Sequence, residues 1–210
     1  MHATTLILLA AMVTSVAVFT ALRFRLGSVP APIAPARGSA AAGILYAFTF
    51  AFAPWAKESA SRHLPSYLAG IAYHVAVFAG LVRLAVSLVG PSLPSLANGV
   101  IAVLAGCGLA CGLALLVKRC TDRRLRAVSV PEDYFANALV NLMLAATLAA
   151  ALRPSTLPVF QIVGAVLVLY APLGKLRHML FLLTSRWVLG ATFGRRGVRP
   201  TAVRSRSDHG

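Results

Sequence analysis

Five stretches of the chain are nearly uninterrupted apolar runs, at about 5–22, 67–89, 96–117, 135–152 and 159–183. Each is close to the about 20 residues that a helix needs to cross a bilayer's hydrocarbon core. The pattern therefore predicts an all-α integral membrane protein with five transmembrane helices in one membrane domain over 1–210. The connections around 90–95 and 153–158 are short and rich in Pro and Ser, so anything bound on that side is bound through the helices. A sixth apolar stretch, Ala40 to Trp55, carries Tyr46, Phe48, Phe50, Phe52 and Trp55. This spacing of aromatics suits the headgroup level, and the stretch is expected to be interfacial or re-entrant rather than spanning.

Composition agrees. Of 210 residues 59% are hydrophobic and 12% charged, with a mean hydropathy of +0.80, which leaves no room for a self-contained soluble enzyme. Lys plus Arg number 20 against five Asp plus Glu, a balance that first suggests nucleic acid. Placement decides otherwise. With the N-terminus outside and the C-terminus cytoplasmic, eighteen of the twenty cations fall on the inner side: Arg23 and Arg25, Arg37 to Arg62, Lys118 to Arg126, Lys175, Arg177 and the basic tail over 186–210. Only Arg83, inside the second run, and Arg153, at an outer end, are exceptions. The positive-inside rule accounts for the excess, and the expected location is the cytoplasmic (inner) membrane, multi-pass, with no nucleic-acid partner. The first run lacks a basic n-region and precedes Arg23 and Arg25, the reverse of a secretory signal, so it is expected to be retained. Cys107, Cys111 and Cys120 form no CxxC pair. With Gly106, Gly108 and Gly112, two of them make a small-residue face suited to close helix packing.

Glu58, Asp122, Glu132, Asp133 and Asp208 all lie outside the expected spans, which leaves no carboxylate for proton or cation transport; with no internal repeat, a transporter is the weakest class. Histidines are the informative set. His2 and His209 are terminal. His74 lies seven residues into the second run and His178 seven residues before the exit of the fifth near Ser185, each about 10 Å deep at about 1.5 Å per residue. Gly70 and Gly174 each stand one turn earlier on the same face, leaving room for a flat macrocycle. Two imidazoles at one depth, without Cys, Asp or Glu to complete a closed shell, fit a haem better than zinc or di-iron. The same spacing also fits histidines that bond a neighbouring helix's carbonyl.

The surroundings of the two histidines, Tyr67-Leu-Ala-Gly70-Ile-Ala-Tyr73-His74-Val75 and Tyr170-Ala-Pro-Leu-Gly174-Lys175-Leu-Arg177-His178, resemble the haem-bearing helices of the gamma subunit of respiratory nitrate reductase and related cytochrome b subunits, including those paired with heterodisulfide-reductase-like iron–sulfur proteins. The resemblance covers roughly Trp55 to Gly197. It implies one haem b held by His74 and His178, and electron transfer between membrane quinone and a cytoplasmic iron–sulfur or molybdenum-containing partner. In that family a second histidine follows ten residues after the first in helix two, and another precedes the last in helix five by eighteen. Here those positions are Leu84 and Phe160, so an outer haem is not expected.

Further candidates have two readings each. His63, eleven residues before His74, is a substitute ligand or a solvated rim residue. Lys175 and Arg177 pair with haem propionates or snorkel to the interface. Asn137 and Asn141 orient a ligand or bond helices together. The basic rim, Lys118 to Arg126 with Trp55 to Arg62, docks the partner or only meets lipid headgroups. The alternative for the whole chain is a non-redox membrane anchor or assembly scaffold.

Overall fold

The computed structural model describes residues 3–25, 35–53, 62–90 and 93–198. Trp55, Lys57, Glu58, His2, His209 and the tail from 199 lie outside them. The described residues contain no strand, and four helices are long and apolar enough to cross a membrane. The protein is an all-helical, multi-pass membrane protein that divides into two compact units.

The first unit holds α1 (Ala3–Arg25), α3 (Leu64–Val86) from Pro65 onward, α4 (Ser95–Thr121), the short α5 (Arg123–Ala127), α6 (Pro131–Leu152) and α7 (Leu157–Tyr170). Their ends follow from local chemistry. Lys118 and Arg119 occupy the last turn of α4, where cations offset the exposed carbonyls. Asp122 then ends α4 with its own N–H on the Lys118 carbonyl and caps α5, its carboxylate accepting from the N–H groups of Arg124 and Leu125. These bonds hold the exposed Asp122 carboxyl below its ordinary range. Pro131 opens α6, and Asp133 accepts from the Val130 N–H at 2.9 Å, satisfying a donor that the helix cannot.

Within this unit α4 packs on α6, α1 on α7 and α7 on α6, around a core of Leu8, Leu84, Met143, Phe160 and Leu167 with interspersed alanines. Large apolar residues such as Val13, Val103, Leu142 and Val166 point outward, as a lipid solvent allows. Because lipid is as apolar as a side chain, close packing and hydrogen bonds hold such helices together. Gly108 and Gly112 of α4 supply the packing: a Cβ on Gly108 would land on Ala76 of α3, and one on Gly112 on the Tyr73 ring and Asn141. Gly164 of α7 receives Leu84 in the same way. Gly106 and Cys107 belong to no such contact; a Cβ on Gly106 meets nothing within 4 Å, and Cys107 is exposed.

The second unit contains α2 (Ala40–Phe48), a tight turn over Phe50–Phe52, and α8 (Arg177–Arg195) from His178 onward. At nine residues, α2 is about 14 Å long, half a hydrocarbon core. Its Gly43 meets Gly190 and Gly194 of α8 backbone to backbone, so that any Cβ there would strike main-chain atoms. The Arg195 carbonyl accepts from the N–H groups of Arg37 and Gly38 at 2.7 and 3.0 Å, and the Arg186 guanidinium donates to the Ala47 carbonyl at 2.8 Å. Each helix end is thus satisfied by the other segment.

Two expectations are corrected. The run at 159–183 is not one helix: α7 stops at Tyr170 and α8 begins at Arg177. Pro172 has no N–H to continue the ladder and its ring clashes with the preceding turn, while Leu173 and Gly174 turn back to bond the Tyr170 carbonyl. The segment from 186 is not a tail as far as 195, because α8 continues through it.

The glycine contacts are testable in pairs. Gly108→Leu is expected to destabilise the purified protein by about 1–3 kcal/mol through overpacking, whereas Gly106→Leu on the same helix stays within about 0.5 kcal/mol. Thermal unfolding in one detergent compares them directly.

Candidate functional site

His74 lies on α3 with Nδ1 2.6 Å from the Gly70 carbonyl. A carbonyl only accepts, so Nδ1 carries the proton and Nε2 keeps the lone pair that a metal would need. Fixing the tautomer through a backbone carbonyl is the usual second contact of a ligating imidazole. The bond stays within one turn of α3, whereas a helix-bridging histidine would use another helix's carbonyl. His74 is exposed, and Ile71, Val75 and Phe78 around it are exposed apolar side chains. A Cβ on Gly70 would meet nothing within 4 Å. One imidazole thus stands on an open apolar face beside a gap, with Tyr73 edge-on at 6.2 Å.

His178 is the second residue of α8 and exposed. Ser185 lies in the interior of that helix rather than at its exit, so the depth count made from Ser185 no longer holds. His74 belongs to the first unit and His178 to the second. His63 immediately precedes α3 and is exposed. Gly174 differs from Gly70: a Cβ there would fall on the ring of Tyr170. Its missing side chain makes room for that phenol, which fills the space expected to be open.

Lys175 is held at the same turn. Its Nζ donates to Asp133 at 2.7 Å and its N–H to Glu132 at 2.8 Å, while the Tyr170 hydroxyl donates to the same Glu132 oxygen at 3.1 Å. Arg119 lies 3.8 Å from the other Asp133 oxygen, and Phe135 stacks edge-on against Tyr170. Two acids in the first turn of α6 therefore clasp the bend between α7 and α8. Arg177 is exposed beside it. The clasp was not anticipated, although both acids stand in the first turn of a helix, where the dipole favours them.

Asn141 donates to Asn137 one turn earlier at 2.7 Å, and its buried Oδ1 accepts no hydrogen bond. The Asn137 carbonyl receives the Tyr73 hydroxyl at 3.5 Å, so the pair meets Tyr73 of α3. Leu84 and Phe160 are wholly buried core residues. Next to them Arg83, 4% exposed, donates to Asn98 of α4 at 2.6 Å and to the Ala150 carbonyl of α6 at 2.7 Å, with its guanidinium 5.9 Å from the Phe160 ring centre on α7. The space around these positions is occupied by packed side chains. Among the described residues no three His, Cys, Asp or Glu side chains gather to form a closed metal shell.

Asp133→Asn keeps an acceptor for the α6 cap but removes the charge facing Lys175 and Arg119. Such an exposed pair contributes about 0.2–1 kcal/mol, and backbone hydrogen exchange over 171–176 is expected to quicken by about two- to fivefold; an unchanged rate would remove the clasp. No family model, curated protein or solved structure matches this chain.

Proposed function

We propose that the protein is a haem b membrane subunit of a respiratory oxidoreductase, transferring electrons between the quinone pool and a cytoplasm-side iron–sulfur or molybdenum-containing partner. His74 and His178 are its axial ligands. The observation that carries this reading is the imidazole of His74, its Nδ1 tied to Gly70 and its Nε2 presented on an apolar face beside an unfilled gap. When bound, a b-type haem supplies reversible one-electron transfer at a potential set by ligands, burial and nearby charge. The chain's own contribution is to hold the imidazole in one tautomer, to exclude water with apolar neighbours and to set basic residues at the rim. The resemblance supplies the second ligand and the partner, and the distribution of basic residues supplies the orientation, N-terminus outside.

A specific observation favours a second reading. Gly174 is filled by Tyr170, and Lys175 is engaged by Asp133 and Glu132, an arrangement suited to a subunit that only anchors or assembles a complex. In that case no pigment accompanies the purified protein.

Haem content separates the two. The wild type is expected to hold one haem b per chain. His74→Ala and His178→Ala should each lose it while still inserting, because insertion follows hydrophobicity and loop charge, and His63→Ala should retain it. Gly70→Leu, whose side chain meets no protein atom at its Cβ, should fold normally and yet bind haem poorly. Haem retained without His74, or two haems per chain, would overturn the assignment.

A further inference from the structure

The two cations that break the positive-inside pattern stand at one end of the first unit. Arg83 lies near the end of α3, and Arg153 directly follows α6. Between these helix ends and the starts of α1 and α7 opens a cleft of about 390 Å3. Its polar wall is Thr4, Thr5, Ser87, Ser155 and Gln161, and Leu88, Val89, Leu157 and two prolines complete it. Gln161 organises this wall, accepting from Thr4 at 2.6 Å and donating to the Ser87 carbonyl at 3.3 Å.

Arg83 sits one turn beneath the floor. Ser87 follows it by four residues, in the turn just past the end of α3, about 6 Å further along. Ala150, whose carbonyl it bonds, precedes the cleft-lining Pro154 by four residues, and Phe160 under its guanidinium adjoins Gln161. The charge is enclosed, yet among the described residues it has no countercharge. The guanidinium meets two neutral oxygens and a ring, and its Nε is buried with no acceptor among the described residues. The three described acids are at the opposite ends of α4 and α6, at Asp122, Glu132 and Asp133. A cation enclosed at low dielectric without an anion is expensive, and its field is weakly screened there. No described residue supplies the negative charge, and the cleft above Arg83, flanked by Arg153, is where an anion from outside can be placed.

We propose that this cleft binds the phosphodiester headgroup of an anionic membrane lipid. Four hydroxyls and an amide line it, offering hydrogen bonds to phosphate oxygens, while Arg83 and Arg153 supply the charge complement. A lipid is favoured over a free anion by position and by the walls. The cleft lies where four helix ends meet, the level at which apolar helices of bilayer length would leave the hydrocarbon core, and exposed Leu6, Val159 and Ile162 continue from it along α1 and α7 as a surface for an acyl chain. This site is independent of haem and of either histidine.

Native mass spectrometry of the full chain in neutral detergent tests it, with phosphatidylglycerol, phosphatidylcholine of the same chain length, and inorganic phosphate as probes. Wild type is expected to retain one phosphatidylglycerol in preference to phosphatidylcholine. Arg153→Gln should weaken that preference by about fivefold, the effect of one cation near a headgroup. Arg83→Gln should abolish it, and Arg83→Lys, which keeps the charge, should restore it. Should the Arg83 variants fail to fold, Arg153→Gln together with Ser87→Val decides the matter at the cleft surface. Equal retention of both lipids, or an undiminished preference in these variants, overturns the proposal. Displacement of the lipid by millimolar phosphate would overturn the lipid as the occupant, leaving a free anion in its place.

Discussion

The guanidinium of Arg83 is the constraint on which the first unit depends. A cation within a membrane span costs about 2.5–3.5 kcal/mol on insertion scales, and this one is kept inside by oxygens from two other helices and the face of a ring on a third. Four helices are therefore tied at one level, and the rotation of α3 about its own axis is set. Ala76, seven residues earlier, is brought back to nearly the same face and meets Gly108. His74, nine residues earlier, is turned by about 180° at about 100° per residue and faces away from the bundle. The exposure of the imidazole follows from the burial of the arginine.

A second rule runs through both units: where no water drives helices together, the backbone must come close or hydrogen bonds must cross. Gly108, Gly112 and Gly164 admit side chains from neighbouring helices, whereas Gly43, Gly190 and Gly194 let two backbones touch. Gly70 does neither. A helix-interior glycine that admits no neighbour carries a cost in helix stability of about 1 kcal/mol against alanine, and Gly106 of α4 is another. What sets Gly70 apart is the His74 imidazole one turn later, held to its carbonyl, and that pairing gives the proposed haem site its physical basis.

The four long helices were legible because an apolar run of bilayer length has few other fates. The fifth was misread, since the apolar character of Val159 to Leu183 hid Pro172 and Gly174, whose backbone chemistry outweighs hydropathy at a single turn. The continuation of α8 past Ser185 was obscured by Arg186 and the arginines beyond, which look like a loop until Arg186 is seen bonding the Ala47 carbonyl. Arg83 stood out in the sequence as an exception, but two of its partners were invisible there: a main-chain carbonyl carries no residue signature, and a phenylalanine under a cation looks like any core residue. Gly70 and Gly174 looked equivalent by spacing, and only the position of the Tyr170 ring separates them.

The proposed function requires an iron held between two imidazoles. The direct measurement is the coordination and spin state of the oxidised protein as purified, by resonance Raman and electron paramagnetic resonance. Six-coordinate, low-spin ferric haem at one iron per chain is the result predicted by ligation through His74 and His178. A colourless protein that is nevertheless folded, or a five-coordinate high-spin haem, would contradict it.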